Sequence, residues 1–353
     1  VAEGAPSAAS GDASRSPWIA GPAYDLVLFI GSPLLALALG AGIQASGLGA
    51  WQVEAWGYRA PVPVFFIGAF VAAHLLLVFA RSHLNQEVFR QHRLRFVLAP
   101  LLLFACVYAS KALMIAVAVL SIWWDVYHSS LQTFGLGRIY DQRRGNEAEL
   151  GRRWDMALNL LLYMGPIFAG AALLPHLQAS VAYTRTLTAL FDHVPAYADS
   201  HQRPLTYLLA LGGGAFLLAY VGAYVRYARA GYRVSWQKVV LLVSTGLCSL
   251  FAWGFNAFGE AFFVMNFFHA LQYFGIVWWA EGQNLRRLLR LPEGRVASAF
   301  ALSSLIWVTG LYGVVTKTLG ESSHLITSVA LVVSIMHFWY DGFVWSVRKQ
   351  MVG

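Results

Sequence analysis

Four histidines carry the chemistry that this sequence could do. His74, His128, His269 and His337 each lie well inside a long apolar run. Ionisable groups within such runs are rare and usually functional. Neutral imidazole is a common ligand for iron, zinc and copper. The offset from the charged residue at the cytoplasmic end of each run sets the depth of each ring. His128 stands 10 residues before Arg138, His269 12 before Glu281 and His337 11 before Arg348. At 1.5 Å per helical residue these three agree in depth to roughly 3 Å. His74, 7 residues before Arg81, sits somewhat closer to the cytoplasm. His83 lies at the membrane boundary, nine residues from His74, so the two point to opposite helix faces. His74 is therefore the expected fourth ligand, and His83 its substitute. Imidazoles in one layer are what a single metal needs. A polar packing or proton-relay network and haem ligation are the alternatives, and one layer accommodates one haem at most.

Ligating histidines need partners for their second ring nitrogen. Asp125 stands three residues before His128 and Gln132 four after it. Asn266 and Gln272 lie three residues either side of His269, and Asp341 lies four after His337. These spacings place each polar group on the histidine face of its helix. Asp341 could also ligate directly, and Asp125 and Asp341 are the candidate catalytic carboxylates. Trp124, Phe274, Trp278 and Trp339 flank the histidines and could line a flat apolar pocket, with ordinary core packing as the alternative. A short echo joins two of the segments: Leu131-Gln132-Thr133-Phe134-Gly135 returns as Leu271-Gln272-Tyr273-Phe274-Gly275, each copy just after a histidine. It suggests two helices packed alike around one centre.

The elements that must position these groups follow from composition. Of 353 residues, 58% are hydrophobic and 12% charged. Soluble domains carry about 25% charged residues. So little polar surface excludes a soluble enzyme, a disordered chain and a nucleic-acid-binding module, and leaves an integral membrane protein. The expected fold is an all-α, polytopic transmembrane bundle of about ten spans: Tyr24–Ile43, Val62–Ala80, Leu94–Tyr108, Ala112–Leu136, Met156–Pro175, Leu205–Tyr227, Val239–Phe255, Ala261–Ala280, Ala297–Val315 and Leu325–Val347. Lys111 separates the third from the fourth; without that break there would be nine. With ten, the Arg-rich loops 81–95 and 137–155, and those after the sixth and eighth spans, all fall on one side. The positive-inside rule makes that side, and both termini, cytoplasmic. The expected location is a bacterial inner membrane. Residues 1–20 read as a disordered Ala/Ser/Gly-rich tail and 21–353 as one transmembrane domain. Cys106 and Cys248 read as packed small hydrophobes. Arg138, Tyr140 and Asp141 read as an interfacial anchor.

The usual metal and nucleotide signatures are missing: there is no HExxH, no CxxC, no HxxHH box and no phosphate-binding glycine loop. One segment, Phe268-His269-Ala270-Leu271-Gln272-Tyr273-Phe274-Gly275-Ile276-Val277-Trp278, resembles a histidine-bearing helix of the bacterial Brp/Blh-type β-carotene dioxygenases. The end of the chain, His337-Phe338-Trp339-Tyr340-Asp341-Gly342-Phe343-Val344-Trp345, is similar to that family's late His/Asp helix, with the Asp displaced by one residue. The resemblance covers two helices of ten. Tyr273 stands where the family has a second histidine, and the family's early Pro-His-Gly segment has no counterpart. The resemblance implies an integral membrane protein with histidine-bound non-haem iron that cleaves a carotenoid.

The resulting expectation is an intramembrane metalloenzyme, a non-haem iron oxygenase. Its lipophilic substrate, a carotenoid-like molecule or a lipid, would enter sideways from the bilayer. His74, His128, His269 and His337 would hold the metal, with Gln132, Gln272, Asn266 and the two carboxylates behind them. A haem- or pigment-binding, non-enzymatic subunit of a larger membrane complex is the second expectation, and a proton-coupled transporter the third.

Overall fold

The computed structural model describes residues 16–170, 193–256, 258–320 and 322–345. It is all-α apart from one small hairpin. In chain order the helices are α1 (Pro22–Ile30), α2 (Ser32–Ser46), α3 (Val62–Leu76), α4 (Val78–Ser82), α5 (Gln86–Ala109), α6 (Lys111–Arg143) and α7 (Arg152–Ala169). There follow α8 (His193–Arg229), α9 (Trp236–Phe255), α10 (Phe258–Leu288), α11 (Arg295–Leu319) and α12 (His324–Val344). Among the described residues eight helical segments are long and apolar enough to cross a membrane, or nine if α1 and α2 form one bent span. The expected first span is thus broken, by a bend of 59°.

The break has a local cause. Residues Leu26–Ile30 are π-helical, and Pro33 opens α2 without an N–H to give. At Gly31 a Cβ would lie 2.4 Å from the Leu26 carbonyl oxygen, so only glycine fits the bend. Neighbouring helices satisfy the carbonyls that the break frees. Phe29 O accepts from Gln272 Nε2 at 2.9 Å, and Ile30 O from Ser244 Oγ at 3.1 Å. Inside a bilayer such satisfaction is what makes a broken helix tolerable.

The cut expected near Lys111 is present. Ser110 leaves the helical conformation, ends α5 and caps α6 by accepting from Leu113 N. Two expectations shift. Helix α5 begins at Gln86, well inside the supposed basic loop, because Asn85 caps it by accepting from Val88 N. The supposed loop 44–61 holds an antiparallel hairpin, Gln52–Ala55 with Tyr58–Pro61. Of the fifth expected span, residues past 170 lie outside the described residues until 193.

At the chain's start, residues 1–15 lie outside the described residues, but Trp18 and Ile19 belong to the packed body. Asp25 accepts hydrogen bonds from Ile19 N at 2.6 Å, Ala20 N at 3.0 Å and Tyr140 Oη at 3.0 Å. The expected tail boundary at 20 therefore moves back. Cys248 is buried as expected, whereas Cys106 is exposed on α5.

The supposed anchor Arg138-Tyr140-Asp141 is instead buried and bonded. Arg138 Nη1 donates to Asp141 Oδ2 at 2.8 Å and to Asp155 Oδ2 at 2.6 Å. Lys238 Nζ reaches the same two oxygens at 2.8 and 2.7 Å. Tyr220 and Tyr224 donate to Asp155, and Tyr232 to Asp141. Two cations balance two carboxylates, and every carboxylate oxygen has a donor. This network ties together the ends of α6, α7, α8 and α9. Outside the spans, burial and the nearby Asp141 carboxylate push the Tyr232 hydroxyl's pKa up.

Candidate metal centre

Helices α3, α6, α10 and α12 each deliver one histidine to a common point. His74, His269 and His337 are fully buried and His128 nearly so. Ring centroids lie 5.1 Å apart for His74–His269, 5.0 Å for His269–His128, 4.7 Å for His128–His337 and 5.0 Å for His337–His74. The four rings close into a quadrilateral with a 6.4 Å diagonal between His269 and His337. His128 Nε2 and His337 Nε2 stand 3.1 Å apart. One nitrogen from each of His74, His269 and His337 falls within 4.8 Å of the others, and the same holds for His128, His337 and an oxygen of Asp341.

Donor chemistry favours a cation here. His74 Nδ1 hydrogen-bonds the Val71 carbonyl, which leaves Nε2 without a protein partner. Neither nitrogen of His269 has one. A buried polar atom without a partner costs about 1–3 kcal/mol. One nitrogen each of His74, His269 and His337 lies close enough to the others to share an occupant that would offset part of that cost.

Asp341 completes the group, one turn after His337. Its Oδ2 lies 3.6 Å from His128 Nε2 and 3.9 Å from His337 Nε2. Its Oδ1 accepts from Tyr273 Oη at 2.7 Å and from Trp345 Nε1 at 3.0 Å. Tyr273 lies one turn after His269, and its ring centroid is 4.5 Å from that of His337. Sequence reasoning assigned Tyr273 no part in the site. The signal available was its i+4 spacing from His269 on an inward face.

No protein-family model, curated protein or solved structure matches this chain. Its site therefore rests on its own residues.

The other expected residues divide. His83 takes no part in the quadrilateral. Its Nδ1 lies 2.8 Å from Ser82 Oγ and its Nε2 3.2 Å from the Phe96 carbonyl, and burial pushes its pKa below the usual value. The helix breaks at Leu77 and ends at Ser82, so the separation of His83 from His74 does not follow from a nine-residue offset along one helix. The amides do not touch the rings as expected. Gln132 Nε2 donates to His269 O and to Gln272 Oε1, each at 3.0 Å. Gln272 Nε2 goes to Phe29 O, and Asn266 Nδ2 to Phe262 O. The two glutamines satisfy backbone and join helices, because a long amide reaches a carbonyl on the next helix before it can fold back onto its own histidine, whereas Asn266 bonds a carbonyl one turn back on its own helix. The repeated Leu-Gln segments meet through this glutamine pair. Asp125 is buried beside Asn266 and stands outside both ligand groups.

A cavity of about 400 Å³ adjoins the cluster. His128, Asp341 and Tyr273 reach it, and the expected Trp124 and Trp339 line it. Along α6 its lining runs from Trp124 to Ile139, which is about 22 Å of helix. The other two expected lining residues are elsewhere. Phe274 stacks on Phe70 with centroids 5.2 Å apart, and Trp278 packs over Gly282. At five and nine residues after His269, both lie on faces of α10 turned roughly 140–180° from it.

Proposed function

We propose that this chain is a multi-pass membrane metalloenzyme whose metal is held by His74, His128, His269 and His337, with Asp341 beside them. The carrying observation is the convergence of four buried imidazoles from four helices, with His74 Nε2 and both His269 nitrogens otherwise unpartnered. An all-nitrogen set with one carboxylate suits iron as well as zinc or copper. We take non-haem iron as the occupant, in keeping with the resemblance of two helices to the β-carotene dioxygenases. Rings packed 4.7–5.1 Å apart leave room for an ion and none for a porphyrin plane between them. A proton relay built from side chains would need a hydrogen-bonded partner at His269, and the protein supplies none there.

The proposed reaction is oxygenation of a lipophilic, unsaturated molecule. Such an ion supplies the one-electron chemistry that lets dioxygen react with a closed-shell double bond. Adding both oxygen atoms across a C=C bond and breaking it gives two carbonyls, so no outside reductant is needed. The chain's own contribution is binding and exclusion of water. Trp124, Leu131, Ile276, Phe338 and Trp339 offer an apolar wall that passes the His128–Asp341 pair. The cavity sits between α6 and α12, where Tyr127 is 42% exposed on the outer face of the bundle. That opening suits entry from lipid. A ten-span topology with cytoplasmic termini keeps the arginine clusters on one side, and a bacterial inner membrane is the proposed location.

Elemental analysis of the purified protein, with a visible spectrum of the same sample, tests this reading. About one iron per chain without a Soret band is the expected result. A chain with no transition metal, or with a haem spectrum, overturns it.

A further inference from the structure

The metal reading accounts for four rings but leaves Tyr273 unexplained. This tyrosine is fully buried, lies on the same helix face as His269, and packs its ring against His337. Its hydroxyl bonds the carboxylate at 2.7 Å. We propose that Tyr273, with Trp345, is a positioning residue that fixes which oxygen of Asp341 faces the imidazoles. The inference rests on the metal reading above.

The argument is geometric. A carboxylate on α12 has two equivalent oxygens and a broad, two-fold terminal torsion. Left alone it would present either oxygen, at a range of angles. Here Oδ1 accepts two hydrogen bonds, from Tyr273 on α10 and Trp345 past the end of α12. Trp345 Nε1 also lies 3.4 Å from Tyr273 Oη, so the three groups form a closed triangle. The indole is itself held, with the Arg81 guanidinium 5.0 Å from its ring centroid. Arg81 in turn pairs with the buried Glu281 at 2.5 Å. With Oδ1 fully engaged, Oδ2 is the oxygen left to point between His128 and His337. It does so at the cavity wall, where both Asp341 and Tyr273 are exposed to any occupant. Groups that orient a ligand in this way typically change metal affinity by 10–100-fold when removed.

The spacing explains why a tyrosine serves here. A histidine at 273 would bring a fifth ring into the quadrilateral. A phenol instead extends its oxygen past His337 to the carboxylate one turn further along α12.

The test uses cobalt(II) alone as probe, with the full chain in detergent and no substrate. Tyr273→Phe keeps the ring against His337 and removes only the hydroxyl. Asp341→Asn keeps the shape and removes the charge. Wild type should bind cobalt with a visible ligand-field spectrum. Tyr273→Phe should shift that spectrum and weaken affinity at least about tenfold. Asp341→Asn should produce the same shift, and the double variant should show no further change. A Tyr273→Phe protein with wild-type spectrum and affinity overturns the positioning role while leaving the metal reading intact. So does a double variant whose losses add, since independent sites are additive. A wild-type protein that binds no cobalt overturns both.

Discussion

His128 Nε2 and His337 Nε2, 209 positions apart in the chain, stand 3.1 Å from each other in the interior of the bundle. At that distance one nitrogen must donate to the other, or both must direct lone pairs at a shared cation. The second arrangement also accounts for His74 Nε2 and one nitrogen of His269, which a single His–His hydrogen bond leaves unsatisfied.

Metal removal is therefore expected to destabilise the fold. A ligand present at 100 times its Kd stabilises the native state by about 2.7 kcal/mol. Treatment with a chelator should lower the thermal unfolding midpoint of the detergent-solubilised protein by several degrees, and re-addition of iron should restore it. His128→Ala should start at the lower midpoint and fail to respond to chelator.

The cavity gives a prediction that separates substrate from metal. Gly135 lines it, and a Cβ added there meets no atom within 4 Å. Gly135→Phe should fill the space along α6 without disturbing the rings. Metal content is expected to stay at the wild-type level, while lipophilic molecules extracted with the purified protein should fall. Equal recovery of such molecules from both proteins would separate the cavity from the proposed substrate.

The buried charge network predicts a large stability effect far from the cluster. Lys238→Met leaves Asp141 and Asp155 with Arg138 as their one cation in the network. Breaking a buried pair in this manner costs about 3–5 kcal/mol. Chemical unfolding should show this loss, with iron content per folded chain unchanged.

Close helix packing predicts a third structural outcome. At Gly313 on α11, an added Cβ would lie 2.0 Å from the Ala69 carbonyl oxygen and 3.1 Å from Ala73 N on α3. Gly313→Ala cannot be relieved by a rotamer change, because the obstacle is backbone. Overpacking costs about 1–3 kcal/mol or more. The loss should appear as a lower unfolding midpoint. Because α3 carries His74 one residue beyond the contact, metal affinity should weaken with it.

Much of the arrangement was legible before any coordinates. Hydropathy marked most of the helices, and offsets of 10 to 12 residues from the charges at the cytoplasmic ends of their runs placed His128, His269 and His337 in one layer. The bend at Gly31 was hidden, because Leu26–Ile30 is apolar whether it is α- or π-helical. Partner choice was hidden as well. Spacing along one helix says which face Gln132 shares with His128, yet the carbonyl it bonds belongs to His269 on another helix. Tyr273 was visible at i+4 from His269, but its value depends on Asp341, whose approach is set by how α10 and α12 pack. The charge network around Arg138 was missed for a similar reason: its four ionised groups come from three helices, and only packing reveals that Asp155 and Lys238 are its partners.

The central claim is that four imidazoles share one ion. X-ray absorption at the iron edge of the purified protein tests it most directly. The account expects nitrogen and oxygen scatterers at about 2.0–2.2 Å, as for other first-row ions on these ligands, with the outer-shell pattern of about four imidazoles that weakens in His269→Ala. An absent iron edge, a sulfur shell, or a porphyrin pattern would contradict it.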